Sequence, residues 1–334
     1  MRVFLTGGTG LLGSHLAHEL RAHGHEVVAL HRKTADTVVL EECECELVEG
    51  DIRDEADALA PLMEGCSHVV HGGALVYAGG SWPRVRAVNV DGTRNVLTAA
   101  RIAGVGHAVH VSSVAVYGSA PGPVDESTPT DSNLAPNDLY ARSKREAEEV
   151  ARGIEEKRGL PVTIVRPAAV YGERDRLMAP AIRDLLRLPV VPLFGSATNA
   201  LPVVYAGNVA VAIRLVVEKS CGGATYDIGL DHPLNQRELM EWLAAGLGLT
   251  PRFVTLPAAL VRRGGAILGG LGARTPGAKH LSLDRLTQLA LGENPYRSGR
   301  IREQLGWHPP HAHRAALERT GRWIAHRGRG PKSS

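Results

Sequence analysis

Short apolar runs separated by longer stretches of mixed polarity set the rhythm of the first two-thirds of the chain. Residues 3–6, 26–31, 46–49, 68–71, 108–112 and 162–165 read as strands, with a weaker one at 225–228. Between them, 10–23, 84–103, 138–158 and 209–219 place apolar residues three and four positions apart, the period of helices that bury one face. Strands alternating with such helices pair in parallel through crossovers, so the pattern predicts an α/β fold with a doubly wound parallel sheet.

After about Arg166 the rhythm changes. Pro180, Pro189, Pro192 and Pro202 mark loops, and 235–246 reads as a helix opened by Asn235. A mixed, Gly-rich segment over 251–310 leads to a last helix around 313–326. We read 1–170 as the core and 171–330 as mainly a smaller substrate-binding lobe, with segments near 203–230 returning to the core. Such a lobe would close over the carboxyl ends of the strands, where open α/β sheets bind ligands. The sequence contains no internal repeat or low-complexity tract.

Composition narrows the function classes. At 334 residues, 44% hydrophobic and 22% charged, the chain is ordinary for a globular protein and about twice one compact domain. Its 38 Lys+Arg against 35 Asp+Glu leave a net charge of only +3, and the basic residues are scattered except in the tail, at Arg322, Arg327, Arg329 and Lys332. Nucleic acid is therefore not an expected partner. Cys43, Cys45, Cys66 and Cys221 lack metal-ligand spacing, which predicts free thiols in a reducing compartment and no metal. His15, His18, His23 and His25 lie on or after the first helix without a third ligand nearby and read as surface residues. Met1 to Leu5 run straight into a glycine motif with no room for a signal peptide. The apolar stretch 256–271 is interrupted by Arg262, Arg263 and glycines and is too short to span a bilayer. The expectation is a cytoplasmic protein without a membrane span.

Candidate chemistry begins at Thr6-Gly7-Gly8-Thr9-Gly10-Leu11-Leu12-Gly13, between an apolar strand and an amphipathic helix. Gly7 allows a tight turn, Gly10 lets the backbone approach a pyrophosphate, and Gly13 lets the helix pack closely on the strand. The helix N-terminus offers free N–H groups to the anion. This reads as the dinucleotide-binding turn of a Rossmann fold, with a glycine-rich turn that holds no ligand as the alternative. The second strand ends in His31-Arg32-Lys33, where an NAD-preferring site usually has an acidic residue for the adenosine ribose. The cations suit a 2′-phosphate instead, and predict NADP(H) in preference to NAD(H); solvated loop charges are the alternative. After the third strand, Asp51 could accept from the adenine amino group with Ile52 against the ring, or simply cap the next helix.

Tyr140 and Lys144 stand four residues apart on a predicted helix and share a face. A phenol with pKa near 10 is a poor acid or base at neutral pH, and an adjacent ammonium favours its ionised form. Ser113 follows the fifth strand, where a hydroxyl beside the phenol can orient a substrate oxygen; we choose it over Ser112.

These segments resemble the extended short-chain dehydrogenase/reductase family, also called the NAD-dependent epimerase/dehydratase family. The glycine turn and Tyr140-Ala141-Arg142-Ser143-Lys144 match its two signatures, and the likeness continues through 50–54, 69–74, 89–96 and 112–118. The resemblance implies Tyr140 as acid/base, Lys144 on the nicotinamide ribose and tuning Tyr140, and Ser113 orienting substrate. It further implies that Gly72, Gly73 and Ala74 line the cofactor, that Asn89 supports it, that Pro167 lies near the nicotinamide, and that the chain forms a homodimer through the Tyr140 helix and its predecessor. His71 reads as structural, closing the fourth strand.

Within the family, sugar epimerases tend to carry Asn where this chain has Ala169, and sugar-nucleotide dehydratases carry acids after the serine, where this chain has Val114-Ala115-Val116. Arg166-Pro167, the basic second-strand end and 305–309 look more like the 3β-hydroxysteroid dehydrogenase and dihydroflavonol reductase branch. The implied activity is interconversion of a ketone or aldehyde and an alcohol on a small hydrophobic molecule, with 256–261 and 266–271 as an apolar lid or an ordinary packing helix. The alternatives are an NAD-dependent nucleotide-sugar epimerase and a non-catalytic dinucleotide sensor; intact Ser113, Tyr140 and Lys144 argue against the sensor. Tyr77, Trp82 and Tyr171 read as packing residues with substrate contact the alternative, and Asn208 as a helix cap.

Overall fold

A computed structural model describes residues 1–76, 81–118, 122–130, 134–135, 137–219, 222–259, 291 and 294–327. Tyr77, Cys221, Arg329, Lys332 and the segment 260–271 singled out above lie outside the described residues. In chain order the elements are β1 (Arg2–Thr6), α1 (Leu11–Ala22), β2 (Glu26–His31), α2 (Val38–Glu42), β3 (Glu46–Glu49), α3 (Ala56–Leu59), β4 (His68–His71), α4 (Trp82–Arg86), α5 (Gly92–Ile102), β5 (His107–Val111), α6 (Leu139–Arg158), β6 (Val162–Pro167), β7 (Ala169–Tyr171), α7 (Met178–Leu186), β8 (Val191–Phe194), β9 (Val203–Tyr205), α8 (Ala206–Lys219), β10 (Thr225–Ile228), α9 (Gln236–Leu247), β11 (Phe253–Leu256), α10 (Gly299–Leu305) and α11 (His313–Arg327).

The described residues of Met1–Ala168, Ala206–Gly229 and Pro295–Pro309 form one compact unit. Its seven strands lie in the order β3-β2-β1-β4-β5-β6-β10, all parallel. Parallel strands covered on both faces must be apolar throughout, and Val3, Phe4 and Leu5 of β1 are accordingly buried without a break. Phe4, Val28, Val69, Ala108 and Val162 meet Leu59, Val96, Leu97, Ala151 and Ile154 of α3, α5 and α6 in one core, while α1 packs against α8. The strand order reverses between β1 and β4, whose ends Thr6 and His71 are register partners. That reversal opens the crevice in which doubly wound sheets bind ligands.

Three expectations need correction. The single helix over 84–103 is α4 and α5 joined by a π-helical turn, Ala87–Asp91, which sets the buried Asn89 inward. Helix α8 begins at Ala206 rather than 209, so Asn208 lies within its first turn and not at its start, and its carbonyl accepts from Trp307 Nε1 at 3.1 Å. His25 is buried, with Nε2 3.2 Å from Glu218 Oε1, and is not a surface residue.

The described residues of Ala169–Tyr205, Leu230–Asn294 and Pro310–Ser334 form a second unit. It holds two short parallel pairs, β7 with β9 and β8 with β11, and packs α9 against α7 and α11. Asn235 opens α9 through a reciprocal capping box with Glu238. Ile182, Leu193, Val203, Leu239, Leu243 and Leu317 fill its core. Tyr171 is buried there, with its Oη 2.6 Å from His313 Nδ1, and so is a packing residue.

Candidate active site

The turn after β1 is shaped for close approach. Gly7 sits at φ +76°, and a Cβ on it would stand 2.7 Å from the Gly72 carbonyl carbon; a Cβ on Gly13 would stand 2.1 Å from the Gly7 oxygen. Glycine alone lets α1 begin flush against the turn and the β1 and β4 loops meet. Gly10, the residue before α1, makes no side-chain cap, and the first turn carries no acidic residue. The N–H groups of Leu11, Leu12 and Gly13, beside the half-buried Thr9, are thereby left for an anion at the positive end of the helix. This cradle fits a pyrophosphate.

Thr6 and His71 brace it. Thr6 Oγ1 accepts from the Gly73 N–H at 3.1 Å and lies 2.8 Å from His71 Nδ1, while His71 Nε2 lies 3.0 Å from Thr93 Oγ1. The Thr93 hydroxyl donates to the Asn89 carbonyl at 2.7 Å, so it can only accept from histidine. His71 therefore carries its proton on Nε2 and accepts the Thr6 hydroxyl at Nδ1. Burial, reinforced by the Lys144 charge, pushes its pKa down to about 3 and keeps it neutral.

At the far end of the crevice the Gly50 N–H donates to the His31 carbonyl at 3.0 Å, drawing the ends of β2 and β3 together. Arg32 and Lys33 are exposed. Asp51 does not cap a helix: Arg53 holds both of its carboxylate oxygens, Nε at 3.0 Å and Nη2 at 2.8 Å. That grip, helped by Arg32, keeps the Asp51 carboxyl below its usual range. Ile52 packs over Gly73 and Gly92, where a Cβ would come within 3.3 Å and 3.1 Å of it.

Helix α6 is opened by Asp138, whose Oδ1 accepts from the Ala141 N–H at 3.0 Å. One turn separates Tyr140 from Lys144, whose Nζ lies 5.9 Å from the phenol ring centre. Lys144 is buried and donates to the Val111 carbonyl at 2.8 Å, fastening α6 to the end of β5 two residues before Ser113. Burial pushes the Lys144 pKa down to about 8 against the opposing pull of Glu148. Ser113 heads the 3-10 turn Val114–Tyr117, and its Oγ accepts from the Ala115 N–H at 3.2 Å, leaving the hydroxyl proton to donate. The Ser112 hydroxyl is buried with no hydrogen-bond partner among the described residues.

Asn89 ties these pieces together. Its Oδ1 accepts from Leu75 N at 2.7 Å and its Nδ2 donates to Leu75 O and to Ser143 Oγ, which in turn donates to the Tyr140 carbonyl. It thus joins the loop after Gly72, Gly73 and Ala74 to the helical turn of Tyr140. Pro167 ends β6 opposite Ile228. The connecting roles of Thr6, His71 and Ser143 were not apparent from sequence; each is a small or imidazole side chain whose partner lies on another element. Among the described residues no group of three or more His, Cys, Asp or Glu is placed to hold a metal ion, and no helix is long and apolar enough to cross a membrane.

Comparison with known proteins matches residues 3–229 to the NAD dependent epimerase/dehydratase family. The chain is 31% identical over 258 residues to a 2-alkyl-3-oxoalkanoate reductase of Stenotrophomonas maltophilia, covering 74% of this chain and 76% of that one. It is 30% identical over 335 residues to sterol demethylase protein B of Methylococcus capsulatus, covering 98% and 99%. Among solved structures, a dTDP-glucose 4,6-dehydratase from Streptomyces venezuelae with NAD bound superposes with a TM-score of 0.71 at 30% identity, covering 98% of each chain.

Proposed function

The chain belongs to the NAD dependent epimerase/dehydratase family, whose enzymes work at CH–OH and C=O groups, and within it we propose a ketoreductase acting on a small hydrophobic ketone or aldehyde. The observation that carries this reading is the buried Lys144 ammonium, fastened to the β5 end beside Ser113 and one helical turn from Tyr140. Gly7, Thr9, Gly10, Leu11, Leu12 and Gly13 would hold the pyrophosphate, with Gly72, Gly73, Ala74 and Pro167 along the cofactor and Ile52 and Asp51 at the adenine. NAD(P)H, when bound, supplies the hydride. Tyr140 gives its phenolic proton to the carbonyl oxygen as that oxygen gains charge, and the Ser113 hydroxyl donates a hydrogen bond to the same atom. Lys144 stabilises the phenolate left behind; in the reverse direction that phenolate is the base.

A hydrophobic carbonyl substrate is supported by what surrounds the serine. Val114 and Val116 are buried apolar residues, so the turn presents no acid for water elimination. The names of the oxoalkanoate reductase and sterol demethylase relatives agree. NADP(H) is the proposed cofactor because no carboxylate closes β2 and Arg32 and Lys33 do. The test is nicotinamide oxidation with a panel of hydrophobic ketones set against nucleotide sugars. Turnover of the ketones supports the reading; a protein that acts only on nucleotide sugars, with NAD that does not exchange, contradicts it.

A further inference from the structure

Tyr117 closes the turn that Ser113 opens, and it is buried at the head of a polar chain. Its Oη donates to Asp227 Oδ2 at 2.7 Å and accepts from Arg166 Nη1 at 2.6 Å. Arg166 in turn grips Glu148, one helical turn beyond Lys144 on α6, through Nε at 2.8 Å and Nη2 at 2.6 Å. The Asp227 N–H donates to Glu126 Oε1 at 2.9 Å, while Asp227 Oδ1 is buried with no hydrogen-bond partner among the described residues.

The charges do not balance when every carboxylate is ionised. Asp227 faces Tyr117 from the turn after β5, Arg166 from β6, Glu148 from α6 and Glu126, which lies 3.7 Å from Arg300 of α10. The Arg166 charge is already matched in two-pronged fashion by Glu148. The Tyr296 ring lies 6.3 Å from that of Tyr117. Asp227 is therefore the surplus carboxylate, and its side chain has one contact that matters to the proposed site, the Tyr117 hydroxyl.

We propose that Asp227 is a positioning residue for carbonyl reduction: ionised, it draws the Tyr117 hydroxyl into a charge-assisted hydrogen bond that holds the Ser113 turn to β10, and protonated, it relaxes that hold. The inference rests on the reading of Ser113 as the residue that orients the carbonyl. Ser113 is coupled to the turn because its Oγ accepts from Ala115 N and its carbonyl from Val116 N, so movement of the turn re-aims the hydroxyl. Arg145 Nη2, on the Val116 carbonyl at 3.0 Å, is a second tie, so the loss of one loosens the turn without freeing it. Burial is the largest influence on the Asp227 carboxyl and, with Glu126, lifts it to about 7 against the Tyr117 hydrogen bond, so both forms exist near neutral pH.

Asp227→Asn keeps the shape and removes the charge. In the reduction direction Tyr140 acts as an acid and contributes a fall in rate as pH rises, so an acid limb near neutrality belongs to Asp227. The wild-type kcat is expected to climb through that limb; the variant is expected to lack it and to run about tenfold below the wild-type plateau, with the Kd for NADPH unchanged. A limb that persists in the variant, or is missing from the wild type, overturns the proposal. Hydrogen exchange of residues 113–118 in the cofactor-free protein at about pH 8 gives a readout that needs no substrate, and we expect roughly fivefold faster exchange in the variant. If the wild type reduces no carbonyl compound, the functional reading fails and exchange alone decides: faster exchange supports the hold and unchanged exchange overturns it. Should Asp227→Asn fail to fold, Tyr117→Phe is judged by the same exchange measurement.

Discussion

Arg166 and Glu148 face each other through two parallel hydrogen bonds, with both side chains only 9% exposed, and so join β6 to the helix that carries Tyr140 and Lys144. A buried pair of this kind is costly to break because the remaining charge is left unmatched. Glu148→Ala should lower unfolding stability by about 3–5 kcal/mol, whereas a paired replacement of both residues by apolar ones of similar volume should cost far less. Urea denaturation of the single and double variants reads the difference.

Four histidines stand in register on β4 and β5, His68 opposite His107 and His71 opposite His110. Burial pushes His107 down to about 4, His71 to about 3 and His110 well below its ordinary value. Unfolded, each takes up a proton near pH 6.5, while folded it stays neutral to a far lower pH. The unfolded chain thus binds more protons in that window, so stability is complete above about pH 6.5 and is lost as pH falls, by about 1.4 kcal/mol per histidine per pH unit. Neither ring nitrogen of His110 has a hydrogen-bond partner among the described residues. His110→Leu should therefore flatten the acid limb of a Tm–pH curve without lowering Tm at pH 7.

The glycine cradle predicts a binding defect with little room for repair. Gly13→Ala puts a methyl group 2.1 Å from the Gly7 oxygen, which the helix can relieve only by backing away from the turn. NADPH affinity, followed by nicotinamide fluorescence, should fall by roughly tenfold or more while far-ultraviolet dichroism stays that of the wild type.

Arg32→Asp should separate the two cofactors. A carboxylate there repels a 2′-phosphate and accepts ribose hydroxyls, so the Kd for NADPH should rise by roughly tenfold or more and that for NADH should change little. Equal losses for both would remove Arg32 from the phosphate site.

Much of this fold was legible because parallel strands buried on both faces are written as apolar runs. Even His68–His71 reads as a strand, since two valines separate its histidines. Pattern lost its grip where elements are short, as in the three-residue β7 and β9, and where a π turn inserts an extra residue per turn between α4 and α5. The glycine turn, Ser113, Tyr140 and Lys144 were local signals, each carried by spacing within a few residues. The chain from Glu148 through Arg166 and Tyr117 to Asp227 was not, because its links span 18, 49 and 110 positions and the burial of a charge leaves no trace in periodicity. An arginine inside the apolar run of β6 and an aspartate inside that of β10 were the available hints.

In the proposed reaction Tyr140, tuned by a buried Lys144 and seconded by Ser113, moves the proton. That role is tested most directly by Tyr140→Phe, measured at once for NADPH binding and for reduction of a ketone that the wild type turns over. The expected outcome is an NADPH Kd within about twofold of the wild type and a kcat lower by at least about a hundredfold. Retained turnover in the variant would contradict it.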